Sequence, residues 1–353
     1  MLSSRLSSLS PYKTETTPAK VKLSSNELPL DLPGELKKKI SEAVGDIPFN
    51  RYPDPSCGEL KEVISQFFGI APENIMLGNG SDELIYYLSV AVGEFNQGVY
   101  IPVPTFPMYE ISAKVFGRPV VSVTLTDKFD IDLNATFHKF NDSKPSLAYY
   151  SYPNNPTGNL FSKEKIQSIR DKGVFTVVDE AYFHYCGDTF VEDALTRDDT
   201  VVLRTLSKIG LASLRVGILI GSENIVSELE KIRLPFNISY PSQEIAKIVL
   251  TEGSLFIDNA VSKVIAERER LYREMKDIEG IEVFPSRANF LLFRTPFDAN
   301  RVHRELVSRG VLIRNMSYLP KLERCLRVSV GTSEENDIFL EALSDTIRAL
   351  SLE

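Results

Sequence analysis

From about residue 60 to residue 240, short apolar runs alternate with longer stretches whose apolar residues recur every three or four positions. Leu60–Phe68 (LKEVISQFF) has that spacing and predicts an amphipathic helix. Asp82–Val92 predicts a second helix, opening just after Gly78-Asn79-Gly80-Ser81. Between such stretches lie β-rich runs at Val99–Val103, Ser146–Tyr150, Val174–Val178, Val201–Leu203 and Val216–Ile220. The last, VGILI, is apolar on both faces, as a buried parallel strand would be. Strands alternating with helices predict an α/β domain with a mostly parallel sheet flanked by helices.

Beyond residue 240 the pattern changes. Ser242–Leu250 and the long charged stretch Asn259–Ile278 read as helices. Strand-like Ile281–Phe284 and Asn289–Phe293, helical Ala299–Arg309, strand-like Val311–Arg314 and Cys325–Val330, and a helix near Glu335–Leu350 follow. Elements of that size suit a smaller α+β domain. The expected division is an N-terminal arm over 1–26, a large domain over 27–260 and a small domain over 261–353. The arm is expected to pack on the small domain or across a dimer.

Composition narrows the class. A chain of 353 residues, 43% hydrophobic and 25% charged, is an ordinary globular sequence and too long and apolar for a disordered tail or a miniprotein. A net charge of −8 offers no basic surface for nucleic acid, although a local cluster of Arg can still attract a small anion. Cys57, Cys186 and Cys325 form no CxxC pair, and three scattered histidines argue against a metal centre. A reducing cytoplasm suits this cysteine usage. No apolar run approaches the roughly 18 residues of a membrane span.

Three segments carry chemistry when taken together. Tyr152-Pro153-Asn154-Asn155-Pro156-Thr157-Gly158 alone reads as a turn. Val177-Val178-Asp179-Glu180-Ala181-Tyr182 is an apolar strand running into two acids, and Asp179 there suits either a ligand site at the sheet edge or a helix N-cap. Val201 to Lys208 (VVLRTLSK) is a strand ending in Ser and Lys. A lone Lys after a strand is ordinarily a solvated charge. Lys208 follows Asp179 by 29 residues, room for one strand–helix–strand crossover, so both side chains would emerge at one edge of the sheet. An amine and a carboxylate converging on one crevice suit pyridoxal phosphate. The amine bonds its aldehyde, and the carboxylate keeps its ring nitrogen protonated. Gly80-Ser81-Asp82 at a helix start would offer backbone N–H groups to the phosphate, and Ser207 and Arg215 a hydroxyl and a charge.

The segments Pro153–Gly158, Asp179–Tyr182, Arg204–Lys208 and Leu214–Gly217 together resemble the fold-type I, pyridoxal-phosphate-dependent aminotransferases, and within them the histidinol-phosphate branch. Leu23–Glu27, Arg51–Pro55, Gly78–Ile85, Pro104–Glu110, Pro285–Phe293 and Cys325–Thr332 extend the resemblance over nearly the whole chain. It implies pyridoxal 5'-phosphate as cofactor, L-histidinol phosphate as amino donor, 2-oxoglutarate as acceptor and a homodimer with a shared site; the alternatives within the fold are an aromatic amino acid aminotransferase and a threonine-phosphate-type decarboxylase, and the remote one is a non-catalytic cofactor-binding regulator. Lys208 matches the lysine that bonds the cofactor and shuttles the proton. Asp179 matches the partner of the ring nitrogen, and Asn155 and Tyr182 match the residues bonded to its phenolic oxygen. Phe106 matches the stacked aromatic, where the family often has Tyr. Ser81, Asp82, Ser207 and Arg215 match the phosphate cradle, and Tyr52 a tyrosine reaching the phosphate from the neighbouring subunit. Arg327 matches the arginine that grips the substrate anion, with Tyr12, Asn26 and Arg314 as further substrate contacts. Six residues separate Lys208 from Arg215 where the family more often has seven, which bears on the reach of Arg215.

Overall fold

The computed structural model describes Leu9, Glu15 and residues 17–352. Seven strands make the principal sheet: β1 (Ile75–Asn79), β2 (Val99–Val103), β3 (Val120–Thr124), β4 (Leu147–Ser151), β5 (Phe175–Asp179), β6 (Thr200–Thr205) and β7 (Val216–Ile220). Their spatial order is β1-β7-β6-β5-β4-β2-β3. The ladders from β3 through β6 are parallel, whereas β7 runs antiparallel to both β6 and β1.

Side chains alternate between two apolar clusters, one on each face of this sheet. Val178, Val202 and Ile218 fall in one cluster, and Val177, Leu203 and Leu219 in the other. That arrangement makes the strands apolar at nearly every position. It also corrects the parallel direction expected for Val216–Ile220. An apolar run reports burial on both faces and is blind to strand direction.

The reversal of β7 positions the site. Arg215 precedes β7, so a parallel strand would have placed it at the far edge of the sheet from Lys208. Running antiparallel, β7 pairs Val216 with Asn79 and Gly217 with Gly78, at the end of β1. Arg215 therefore meets the start of helix α1 (Gly80–Ala91), which follows β1 directly. The carboxyl ends of β4 and β5 lie side by side in register, Ser151 against Asp179, and Asp179 against Leu203 of β6. Open α/β sheets bind ligands at this edge.

Helix α2 (Met108–Val115) packs beside α1 after β2, and the long helix α3 (Ser254–Lys276) leads out of this region. Its Ile257, Ala260, Val261 and Val264 join the cluster on one sheet face, and its Leu271 and Met275 join a third cluster. That third cluster lies with a four-stranded antiparallel sheet of β8 (Glu282–Phe284), β9 (Phe290–Arg294), β10 (Arg314–Asn315) and β11 (Cys325–Ser329), ordered β10-β11-β9-β8. The final helix α4 (Ser333–Ser351) adds Phe339 and Leu343, and its start is closed by a reciprocal capping box of Thr332 and Glu335. Val21–Lys22 pairs in parallel with Val311–Leu312, tying the segment ahead of Ser24 to the small sheet's neighbourhood. Among the described residues, no helix is long and apolar enough to cross a membrane.

Candidate active site

At the carboxyl edge of β4, β5 and β6 lies a cavity of about 320 Å³, lined on the sheet side by Ser151, Asn155, Asp179, Tyr182, Ser207 and Lys208. Ser81, Asp82 and Arg215 close one end, and Asn26, Arg314 and Arg327 face them from the segment before residue 27 and from the small sheet. Phe106 and Met108 also line it. The amine and the carboxylate anticipated from the sequence thus line one crevice.

Lys208 sits on a short 3-10 turn, Leu206–Lys208, opened by Thr205, whose hydroxyl accepts from the Ser207 N–H. Its Nζ donates to the Ser25 carbonyl at 3.3 Å. Burial, reinforced by the positive charge of Arg327, lowers its pKa to about 8. Asp179, only 3% exposed, closes β5. Its Oδ2 accepts from the Tyr109 hydroxyl at 2.8 Å and its Oδ1 from the Ala181 N–H at 3.1 Å. Burial pushes its carboxyl up to about 6, against the pull of those two bonds. A weak base and a reluctant acid therefore face one space, the arrangement proton chemistry near neutral pH requires.

The cradle end is shaped by close backbone approach. A Cβ on Gly217 would fall 2.3 Å from the Gly80 carbonyl carbon and 2.4 Å from the Ser81 nitrogen. Gly80 has φ +74°, and a Cβ there would lie 2.5 Å from Arg215 Nη2. Without side chains at these two positions, the guanidinium rests directly over the start of α1. Arg215 donates to Asp82 Oδ2 at 3.1 Å and to Ser207 Oγ at 3.4 Å. The six-residue spacing from Lys208 still brings Arg215 into the cavity wall, with Arg215 itself in the left-handed region at φ 54°. The N-cap side chain of Asn79 makes no capping bond to the first turn of α1. A helix start, a guanidinium and a hydroxyl converging here suit a phosphate. An amine and a carboxylate in the same small cavity suit the remainder of a pyridine aldehyde, so the donor set fits pyridoxal phosphate.

On the opposite wall, Arg327 of β11 is buried. Its Nη2 donates to Ser24 O at 2.9 Å and its Nη1 to Asn155 Oδ1. Asn26 donates from Nδ2 to the Tyr182 hydroxyl at 3.0 Å, and its Oδ1 accepts from Ser329 Oγ at 2.9 Å. The segment Ser24–Asn26 is thereby fastened across the cavity mouth. Tyr52 is elsewhere: it is 78% exposed, stacks on Phe236 at 4.4 Å and does not line this chain's cavity. Tyr12 lies outside the described residues.

Sequence reasoning assigned no role to several residues that the fold brings here. Tyr109 lay inside the quoted segment Pro104–Glu110, and Ser24 and Ser25 inside Leu23–Glu27, but nothing in their spacing announced a contact with Asp179 or Lys208. Glu15 also lines the cavity, its charged form favoured first by the hydrogen bond from the Thr17 hydroxyl and then by His303 and Arg314.

The model of the aminotransferase class I and II family matches residues 18–343. A histidinol-phosphate aminotransferase of Aquifex aeolicus is 62% identical over 351 residues, covering 99% of each chain. One of Hydrogenobaculum sp. is 48% identical over the full length of both chains. The crystal structure of histidinol-phosphate aminotransferase from Sinorhizobium meliloti in complex with pyridoxal-5'-phosphate has the same fold, with TM-score 0.88 at 24% identity over 99% of this chain and 98% of that one. The chain belongs to the class I and II aminotransferases.

Proposed function

We propose that this aminotransferase binds pyridoxal 5'-phosphate on Lys208 and moves the amino group of L-histidinol phosphate to 2-oxoglutarate. The observation that carries the reading is the single cavity shared by the Lys208 amine, the Asp179 carboxylate and the guanidinium groups of Arg215, Arg314 and Arg327. The amino donor follows from the full-length relatives, which are named histidinol-phosphate aminotransferases, and 2-oxoglutarate from the resemblance.

When bound, the cofactor supplies an aldehyde that captures primary amines and a protonated ring that accepts the electron pair of a breaking Cα–H bond. Asp179 would keep the ring nitrogen protonated, Tyr182 and Asn155 would bond the ring oxygen, and Phe106 would stack on the ring. The backbone N–H groups of Ser81 and Asp82, the Ser207 hydroxyl and the Arg215 guanidinium would hold the phosphate. Lys208 Nζ would take the proton from the donor Cα and hold it for delivery to the carbon that takes up the amino group. Its lowered basicity makes the neutral amine available near pH 8, as a general base needs. Release of the first oxo product before the second substrate enters makes the kinetics ping-pong.

Both substrates are anions. Arg327, with Arg314 beside it, serves the phosphate of one and a carboxylate of the other, since guanidinium forks suit both. Asn26 lines the same cavity, and Tyr12 joins the proposed substrate contacts by the resemblance alone. Tyr52 faces outward with Phe236, Phe49 and Leu234 also exposed, which supports a homodimer in which Tyr52 reaches the phosphate in the neighbouring site. The division at 26/27 and 260/261 is part of this proposal, supported by the apolar cluster that gathers Leu271, Met275, Leu291, Phe293 and Phe339, while Val264, Phe290 and Leu292 pack with the larger cluster. So is a cytoplasmic setting, supported by three free cysteines, two of them buried.

Lys208→Ala tests the reading. It should lose borohydride-fixable cofactor and all transamination of histidinol phosphate. Full activity in that variant would end the proposal. The substrate is tested by comparing histidinol phosphate with aromatic amino acids against the same 2-oxoglutarate. Faster turnover of an aromatic donor would overturn the assignment.

A further inference from the structure

Beneath the cavity floor runs a buried polar column that the residues assigned above do not explain. Tyr109 of α2 is fully buried, and its hydroxyl ends on Asp179 Oδ2 at 2.8 Å. Its ring stacks on Tyr149 of β4 with centroids 4.9 Å apart and planes 1° from parallel. Tyr149 is held in turn: its hydroxyl donates to Ile85 O at 3.0 Å and lies 2.9 Å from Ser89 Oγ. Phe106, which lines the cavity, meets Tyr109 edge-on at 5.6 Å. A ring clamped on two sides cannot swing its hydroxyl away from Asp179.

Each Asp179 oxygen has one fixed neutral donor, Tyr109 for Oδ2 and the Ala181 N–H for Oδ1. Two such bonds set the plane of the carboxylate and favour its charged form, while lone pairs remain for a group entering the cavity. We propose that Tyr109 is a positioning residue, whose hydroxyl fixes the orientation and charge of Asp179 so that the carboxylate meets the ring nitrogen of the cofactor as an anion. The inference rests on the cofactor reading above and adds a residue that acts through Asp179 without touching the cofactor.

Other groups bearing on this carboxylate are Asp82 of α1, which opposes its charge, and Lys208, which favours it. Glu180, next in sequence, turns to the other face of the strand and pairs with Arg204. Tyr109 is thus the side chain that hydrogen-bonds Asp179 directly from α2.

Tyr109→Phe keeps the ring and its stacking and deletes only the donor. The readout is the pH titration of the Asp179 carboxyl carbon in the apoprotein, by carbon NMR assigned with Asp179→Asn. The wild-type midpoint is expected near 6. In Tyr109→Phe it should rise by about one unit, the size expected for losing a hydrogen bond to a charged group. At pH 5 the dissociation constant for pyridoxal phosphate should rise about tenfold, because about a tenth as much carboxylate is charged, and above pH 8 it should change little. Tyr149→Phe removes a hydroxyl from the column but spares the Tyr109 donor, so its midpoint should stay with the wild type whatever its thermal stability. Equal midpoints in wild type and Tyr109→Phe would overturn the proposal, even if the variant melts earlier. Because the titration is read without cofactor, it can fail while the wild-type protein still binds pyridoxal phosphate, so the two readings fall separately.

Discussion

Asp179 and Glu180 are consecutive, both acidic and both buried, at 3% and 1% exposure, yet they are used differently. Strand alternation sends them to opposite faces. Glu180 meets Arg204 at 2.9 Å, the Thr189 hydroxyl at 2.9 Å and the Phe190 N–H at 2.6 Å. Arg204 in turn lies over the Phe183 ring, 3.6 Å from its centroid. Every element of that charge is answered within the chain. Asp179 has hydrogen bonds from neutral donors and an open cavity in front. A carboxylate compensated internally ties elements together, here the ends of β5 and β6 that carry Asp179 and lead to Lys208. One left facing a cavity awaits a positive group from outside.

Substitutions separate the two roles. Asp179→Asn is expected to lower turnover by roughly 10²–10⁴, the range for losing a proton-handling group. Its apoprotein should unfold at no lower urea concentration than wild type, because an uncompensated buried acid is removed. An apoprotein clearly weaker than wild type would erase the contrast. Glu180→Ala should show the reverse. Stranding buried Arg204 costs about 3–5 kcal/mol in urea unfolding, while turnover per folded molecule changes little. The double variant Glu180→Leu with Arg204→Met replaces the pair by apolar volume and should recover most of that loss. If it is no better than Glu180→Ala, the pair matters for more than mutual compensation.

The smallest effect is in the pH dependence of the apoprotein. Asp179 titrates near 6 when folded, above the ordinary range near 3.9. The folded state holds the proton more tightly, so this group's contribution is fully present below about pH 4 and is lost as pH rises to 6. Lys208 titrates near 8, below its ordinary range near 10.4. The folded state then holds fewer protons, so its contribution is present above about pH 10 and is lost as pH falls through 8. Urea midpoints of wild type minus Asp179→Asn should fall between pH 4 and 6, and those of wild type minus Lys208→Met should rise between pH 8 and 10. A flat difference in either window would mean that the group is better solvated than its surroundings indicate.

Much of this was legible along the chain because local pattern carried it. The runs at Val99–Val103 and Val216–Ile220 are strands at those bounds, and the helix read at Leu60–Phe68 begins two residues earlier, at Gly58. Asp179, Lys208 and Ser81 stood out by lying where apolar strands end or a helix starts, whereas Asn155, in a segment that alone reads as a turn, came only through the resemblance. The direction of β7 was not legible, since a strand buried on both faces reads the same either way. Tyr109 was not legible as a partner of Asp179 either, since 70 residues separate them and only the packing of α2 against the sheet closes the gap. Tyr52 marks another limit: it is exposed and away from the cavity of this chain, so its proposed reach into a neighbouring site is not written in the fold of one subunit.

By itself the sequence determined the α/β alternation, the residue types at the strand ends and a resemblance that named the cofactor, because propensity, burial and spacing act over a few residues. The tertiary structure decided what meets across the crevice: Arg215 against the start of α1, Ser25 against Lys208, Tyr109 beneath Asp179, and the opposite fates of two adjacent acids. Those outcomes depend on strand direction, register and desolvation, which arise when distant segments pack and leave no periodic trace in any one of them.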